Sequence, residues 1–295
     1  MMTSARNSWG RWWRQDGYGY RGVDMKNLKH ELTYGNVIIG TFSLFSHPSV
    51  IEIIGNVGFD AVVIDTEHAG GSPYGLNLEE LIRAAYAADI APLVRTTENR
   101  SGMILKALDA GAQGIFVPHV CTKEDAAAAV AHCRYPPLGT RSAAPVVRAA
   151  KHGLTEWNEY VAKANADTLV MVMVEDEEAV ENIDEILSVS GIDGVFIGPW
   201  DLATDLGVAR YGVLDESVEK RCQKIIDACR ERNLFVGSHG WDAESVQAWV
   251  DKGCQIVIAS TDVSAFVDSM QTLKKLMDDM RLPPRGGAGR HPRSG

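Results

Sequence analysis

Eight short apolar runs recur along this chain, over 37–42, 61–65, 92–95, 114–118, 169–175, 194–198, 235–238 and 255–260. Amphipathic helical segments separate most of them, as at 78–88, 103–110, 124–133, 179–187, 218–231 and 245–252. Strands alternating with helices at this count imply a parallel sheet, and eight repeats predict closure into an α/β (β/α)8 TIM barrel. An open doubly wound sheet is the alternative, but no Gly-x-Gly-x-x-Gly follows the first run. A barrel needs about 250 residues, and the chain has 295. A single barrel domain over 25–281 is therefore expected. Residues 1–24, with Trp9, Trp12 and Trp13 among arginines, read as a flexible leader or as a start assigned upstream of Met25. Residues 282–295 have the Pro, Gly and Arg content of a disordered tail.

Charge and cysteine usage narrow the function classes. A net charge of -10 and a pI near 5.3 leave no basic surplus to neutralise phosphates, which argues against a nucleic-acid binder. The five cysteines show no paired spacing and read as reduced thiols. With no apolar run of about 20 residues and no signal peptide, the expected setting is the cytosol, and the expected partner a small molecule rather than nucleic acid or membrane.

The run Leu169-Val170-Met171-Val172-Met173-Val174 stops at Glu175, and Gly194-Val195-Phe196-Ile197 is followed by Gly198, Pro199, Trp200 and Asp201. A right-handed crossover brings the ends of two successive parallel strands to one sheet edge, so Glu175 and Asp201 should converge. Two carboxylates with room for water and substrate suit Mg²⁺ or a similar hard cation. A helix cap and a solvated loop acid are the competing reading for either residue alone; the matched pair favours the metal. Gly198-Pro199 also predicts a tight turn whose N–H groups face a carboxylate.

In a barrel the active site lies where the strands end. Polar residues gather there: Ser43 and His47, then Asp65, Glu67 and His68, Arg95, His119, later in the same loop Arg141, then Glu175, Asp201, Ser238 and His239. Asp65 stands three residues before His68, near enough to orient the imidazole as a base, although a capping Asp beside a surface His fits the same spacing. Arg95 needs an anion, either a substrate oxygen or Glu67. No lysine ends a predicted strand, so a Schiff-base mechanism has no evident nucleophile and a metal is the better electrophile. Gly237-Ser238-His239-Gly240 offers a weak phosphate-cradling loop, the one feature that favours a phosphosugar isomerase.

Taken together, Ile64-Asp65-Thr66-Glu67-His68, Val94-Arg95, Leu108-Asp109-Ala110-Gly111, Val117-Pro118, Tyr135-Pro136-Pro137-Leu138-Gly139-Thr140-Arg141, Glu175 and Gly198-Pro199-Trp200-Asp201-Leu202 resemble the metal-dependent class II pyruvate aldolases of the HpcH/HpaI family, from about Val37 to Asp262. The resemblance implies that Glu175 and Asp201 bind Mg²⁺, Mn²⁺ or Co²⁺, which chelates pyruvate. It implies that Arg95 stabilises the enolate oxygen and that His68, oriented by Asp65, moves protons. By the same resemblance Asp109 reaches a neighbouring subunit's site, Gly198, Pro199 and Trp200 bind substrate, and the last helix is exchanged within a trimer-based hexamer. The implied reaction cleaves a 4-hydroxy-2-oxo acid to pyruvate and an aldehyde through the pyruvate enolate.

The chain departs from the family's common pattern at Ser142, where glycine is usual, and at His119, where methionine is frequent. Both, with Tyr160, resemble the branch containing macrophomate synthase, in which residues matching Arg95, His119 and Tyr160 contact substrate. That branch makes oxaloacetate decarboxylation, or enolate coupling after it, the second reading. A silent metabolite-binding barrel is the reading from another class. Met173 stands for a common glutamine, Phe42 for a common tryptophan, and Trp200 for a small residue. The pyruvate half of the site thus matches the family's pattern, while the acceptor half, in which Phe42, His119, Trp200, Arg141 and Tyr160 are expected to bind substrate, departs from the common pattern at Phe42, His119 and Trp200.

Overall fold

The computed structural model describes residues 27–69, 76–210 and 213–280; the expected leader at 1–24 and tail at 282–295 lie outside them. Eight strands run β1 Ile38–Ser43, β2 Ala61–Asp65, β3 Ala91–Arg95, β4 Gly114–Val117, β5 Leu169–Val174, β6 Gly194–Ile197, β7 Phe235–Gly240 and β8 Ile256–Thr261. They pair in parallel, each with the next and β8 with β1, into the closed barrel expected from the repeat.

The helices are α1 Leu28–Thr33, α2 Pro48–Val57, α3 Leu76–Ala87, α4 Ser101–Ala110, α5 Lys123–Cys133, α6 Trp157–Asp167, α7 Glu177–Glu181, α8 Ile183–Leu187, α9 Pro199–Asp205, α10 Glu216–Glu231, α11 Ala243–Lys252 and α12 Asp262–Asp278. The single helix expected over 179–187 is two, because Asn182 turns its side chain to donate to the Cys121 carbonyl at 2.9 Å and breaks the run.

Strand alternation builds two cores. Along β5, Val170, Val172 and Val174 join Ile64, Val94, Ile115 and Val195 in the layer under the helices. Leu169, Met171 and Met173 point inward among Val63, Leu93, Phe116, Phe196 and Ile258, and Leu28 and Leu32 of α1 join this inner cluster. By the same period Glu175 continues the inward-facing series into the mouth at the strands' C-terminal ends.

Gly237–Gly240 is no phosphate loop: all four residues belong to β7. A Cβ on Gly237 would meet Phe196 at 2.8 Å and the Ile256 carbonyl at 2.9 Å, so this glycine serves strand packing. The isomerase reading loses its one support.

Helix α12 stands apart. None of its residues is buried, and Phe266, Met270, Leu273 and Met277 form an exposed apolar row at helical spacing. Its first residue, Asp262, ties it to the barrel by accepting from Ser43 Oγ at 2.9 Å and from the Leu44 and Phe45 amides. Among the described residues, no helix is long and apolar enough to cross a membrane.

Candidate active site

Asp65 and Arg95 end adjacent strands in register, so their side chains leave the sheet at one height. Arg95 donates from Nε to Asp65 Oδ1 at 3.0 Å and from Nη2 to Oδ2 at 2.6 Å, a buried bidentate pair. Burial disfavours the guanidinium charge, but Asp65, Glu67 and Glu175 outweigh it and its pKa is raised. Glu67 Oε2 lies 3.3 Å from the same Nε.

This corrects the expectation that Asp65 orients the His68 imidazole. Asp65 holds His68 through its backbone N–H at 3.3 Å, and its oxygens otherwise accept from the Glu67 N–H at 2.9 Å and from Arg95. The His68 ring is 62% exposed, and Glu67 Oε2 lies 3.8 Å from its Nε2. Buried Arg95 is the stronger competitor for the carboxylate because a charged guanidinium without a partner is costly.

His119 follows β4 with a φ of 54°, in the left-handed region that non-glycine residues seldom adopt. Its backbone N–H donates to Glu175 Oε1 at 2.8 Å, its Nδ1 lies 3.0 Å from that oxygen, and its Nε2 lies 3.0 Å from Glu67 Oε1. The ring therefore bridges two acids. Glu67, weighed from the sequence only as a partner for Arg95, is a hub in contact with Arg95, His119 and His68. Its place two residues beyond Asp65 was the available signal.

Glu175 and Asp201 converge as the crossover predicts. A Cβ built on Gly198 would meet Glu175 Cβ at 2.7 Å, Glu175 Oε2 at 3.1 Å and Asp201 Oδ2 at 3.5 Å, so both oxygens face the space that glycine leaves open. Asp176, not Glu175, caps α7, which leaves the Glu175 carboxylate to the mouth. Burial, with the charges of Asp201 and Glu67, pushes the Glu175 pKa up against the pull of His119. Like-charged carboxylates around an open cradle fit a divalent cation. Among the described residues no three His, Cys, Asp or Glu side chains group as a metal site, so an ion here would have two carboxylate ligands and keep its remaining positions for water and substrate. The expected N–H cradle at Gly198-Pro199 is reduced, since the Gly198 amide donates to the Val174 carbonyl at 3.1 Å. Phe42 lies beneath Arg95, whose Cζ is 4.7 Å from the ring centroid, and Trp200 is 48% exposed at the start of α9.

Asp109, Arg141 and Tyr160 do not join this group. Asp109 is at the C-terminal end of α4, and Arg141 follows α5, past which the chain has returned to the N-terminal end of the barrel. The neighbouring Arg134 bonds the carbonyls of Thr168 and Gly191, just ahead of β5 and β6. Placing Arg141 on the strand-end rim is therefore corrected: a helix lies between it and β4. Its side chain is 1% exposed, donates to Asp109 Oδ1 at 2.9 Å and Tyr160 Oη at 3.4 Å, and covers the Tyr135 ring at 4.4 Å. These three expected site residues form a second polar cluster, away from Glu175 and Asp201 of the same chain.

The HpcH/HpaI aldolase/citrate lyase family matches residues 39–269. A hydroxypyruvate/pyruvate aldolase of Roseobacter denitrificans is 31% identical over 253 residues, covering 84% of this chain and 96% of that protein. The crystal structure of citrate synthase SbnG aligns with a TM-score of 0.75 at 33% identity, covering 86% of this chain and 99% of that one. Macrophomate synthase, at a TM-score of 0.74 and 24% identity over 85% of this chain and 90% of that one, shares the fold. On these matches the chain belongs to the HpcH/HpaI aldolase/citrate lyase family.

Proposed function

We propose that this chain, an aldolase-type carbon–carbon lyase, cleaves 4-hydroxy-2-oxo acids to pyruvate and an aldehyde with Mg²⁺, Mn²⁺ or Co²⁺ held by Glu175 and Asp201. The observation that carries the proposal is the convergence of Glu175 Oε2 and Asp201 Oδ2 over Gly198, beside the buried guanidinium of Arg95. The cation, when bound, supplies Lewis-acid polarisation of the 2-oxo group.

The chain's own residues do the rest. Arg95 is fixed by Asp65 through Nε and Nη2, which leaves Nη1 to meet the oxygen that gains charge as the carbon–carbon bond breaks. The exposed His68 imidazole takes the proton of the 4-hydroxyl, with Glu67 the nearest acid. His119, fixed between Glu67 and Glu175, borders the acceptor side. Asp109 belongs to the site of a neighbouring copy, positioned by Arg141, which also donates to Tyr160. The exposed row of α12 supports a homo-oligomer, a trimer or a hexamer, in which that helix packs on a second copy.

One observation favours the second reading, oxaloacetate decarboxylation or coupling of the resulting enolate. Loss of CO₂ needs no base at a 4-hydroxyl, and the carboxylate facing the exposed His68 ring, Glu67 Oε2, lies 3.8 Å from Nε2, beyond hydrogen-bond distance. Pyruvate release from oxaloacetate and from a 4-hydroxy-2-oxo acid, on EDTA-stripped protein before and after Mn²⁺, tests both. Metal-restored cleavage of the hydroxy acid at the higher kcat/KM supports the aldolase. A faster reaction with oxaloacetate supports the second reading, and release from neither contradicts both.

A further inference from the structure

Strand β8 carries one residue more than its pairing with β1 needs. Ile38, Ile39 and Gly40 of β1 face Ile256, Val257 and Ile258 in step, but Phe42 faces Thr261, so two steps along β1 span three along β8. The extra length is taken up at Ser260, whose φ of 59° lies in the left-handed region, and the Ser260 carbonyl accepts from Thr41 Oγ1 at 3.3 Å. A bulge re-aims the side chains beyond it and is common beside active sites. Here it brings Asp262 against the end of β1.

The Asp262 carboxylate accepts from Ser43 Oγ at 2.9 Å, from the Leu44 amide at 2.9 Å and from the Phe45 amide at 3.1 Å. An acid in the first turn of a helix ordinarily serves the helix end. Thr261 already caps α12, accepting from the Ser264 amide at 3.0 Å, so the Asp262 carboxylate is given over to β1. Ser43, its hydroxyl donor, is fully buried. The joint is stiff, since hydrogen bonds to an ionised group are about twice as strong as neutral ones.

What the joint holds is Phe42, the residue before Ser43. Its ring packs edge-on against Phe196 at 6.1 Å between centroids, and the Arg95 guanidinium lies over it with Cζ 4.7 Å from the centroid. Asp65 grips the guanidinium along one edge, while the Phe42 ring supports its face. An edge grip alone leaves the plane free to hinge about that edge, and the face contact removes this freedom. The direction of Nη1, the donor left for the substrate oxygen, is therefore set by where β1 ends.

We propose that Asp262 is a positioning residue for Arg95, fixing the end of β1 so that the Phe42 ring holds the guanidinium plane; this rests on the lyase reading above. Asp262 acts through Ser43 and Phe42 without touching substrate. Its effect belongs in kcat, because a slightly displaced donor is lost where charge develops rather than where substrate is bound.

The test measures kcat and KM for pyruvate release from a 4-hydroxy-2-oxo acid by the full chain with Mn²⁺, in a cycle of Asp262→Asn and Phe42→Leu. Asp262→Asn keeps the size of the side chain and loses its charge, and it is expected to lower kcat about tenfold with KM changed less than about twofold, the scale of one charge-assisted hydrogen bond. In the Phe42→Leu background, where no ring supports the guanidinium, the same change is expected to lower kcat less than about twofold. Ser43→Ala, which removes one donor and keeps both amide bonds, is expected to lower kcat in the same way and carries the test should Asp262→Asn not fold. An unchanged kcat in Asp262→Asn, a loss carried by KM, or an equal loss in both backgrounds overturns the inference and leaves the lyase reading intact, since a joint that merely fastens α12 to the barrel acts without regard to Phe42. No pyruvate from the unaltered chain overturns both.

Discussion

Arg95 is held by two parallel hydrogen bonds from one side, a geometry that only a planar fork can make. Arg95→Lys should therefore lower kcat by about 100-fold or more, the scale of a lost oxyanion donor, with a much smaller change in KM in the pyruvate-release assay. Asp65→Ala should destabilise the fold in denaturant melts by less than the about 3–5 kcal/mol of a wholly unpaired buried charge, because Glu67 still lies 3.3 Å from Arg95 Nε. Glu175 carries a pH dependence. Its carboxyl is raised above the ordinary 4.5, so between 4.5 and the raised value the folded state binds the proton that the unfolded state has lost. Cation-free stability should fall as pH rises through that window, and Glu175→Gln should abolish the slope. Cation affinity should run the other way, falling as the pH drops through the same window. At this scale the sequence was legible where an acid or base ends a strand, as at Asp65, Arg95, Glu175 and Asp201. Pairing was not: three residues separate Asp65 from His68, yet the carboxylate goes to Arg95 thirty residues on, because burial decides which charge must be matched. Glu67 was legible as a partner for Arg95 but not for His119, which reaches it from beyond β4.

Between β6 and α9 the chain needs Gly198 for space rather than for backbone freedom, since its φ of -97° suits any residue. Gly198→Ala should leave the barrel folded while pushing the Glu175 carboxylate aside, and cation affinity by titration calorimetry should fall about 10–100-fold, as when a group orienting a metal ligand is lost. The short, near-continuous apolar runs of the buried strands marked all eight of them to within about two residues. Helices were legible where a wide apolar stripe faces the barrel. Helix α2 went unread although its signals are local: His47 caps it, Pro48 opens it and Gly58 closes it at a φ of 106°. The break between α7 and α8 depends on a carbonyl sixty-one residues away and has no local signal.

The closed barrel followed from counting repeats, but the allocation of site residues to its two ends did not. Arg141 and Tyr160 follow β4 in the chain, and only the intervening α5 shows that they lie at the opposite end from Glu175. Among the described residues the apolar row of α12 is exposed, with Phe266 alone set against a ring, Phe45; on the proposed homo-oligomer, Met270→Glu should give smaller species in sedimentation velocity. Loss of activity in step with dissociation would place Asp109 in a neighbour's site; full activity in the dissociated form would remove it from the reaction. The central claim is that two carboxylates, from the ends of β5 and β6, hold the cation on which cleavage depends. Anomalous diffraction from crystals grown with Mn²⁺ and oxalate, a stable mimic of the enolate, tests it most directly. The account predicts one manganese between Glu175 Oε2 and Asp201 Oδ2, with oxalate and water completing its shell and Arg95 against the oxalate. Manganese bound elsewhere, or oxalate bound away from these carboxylates, would contradict it.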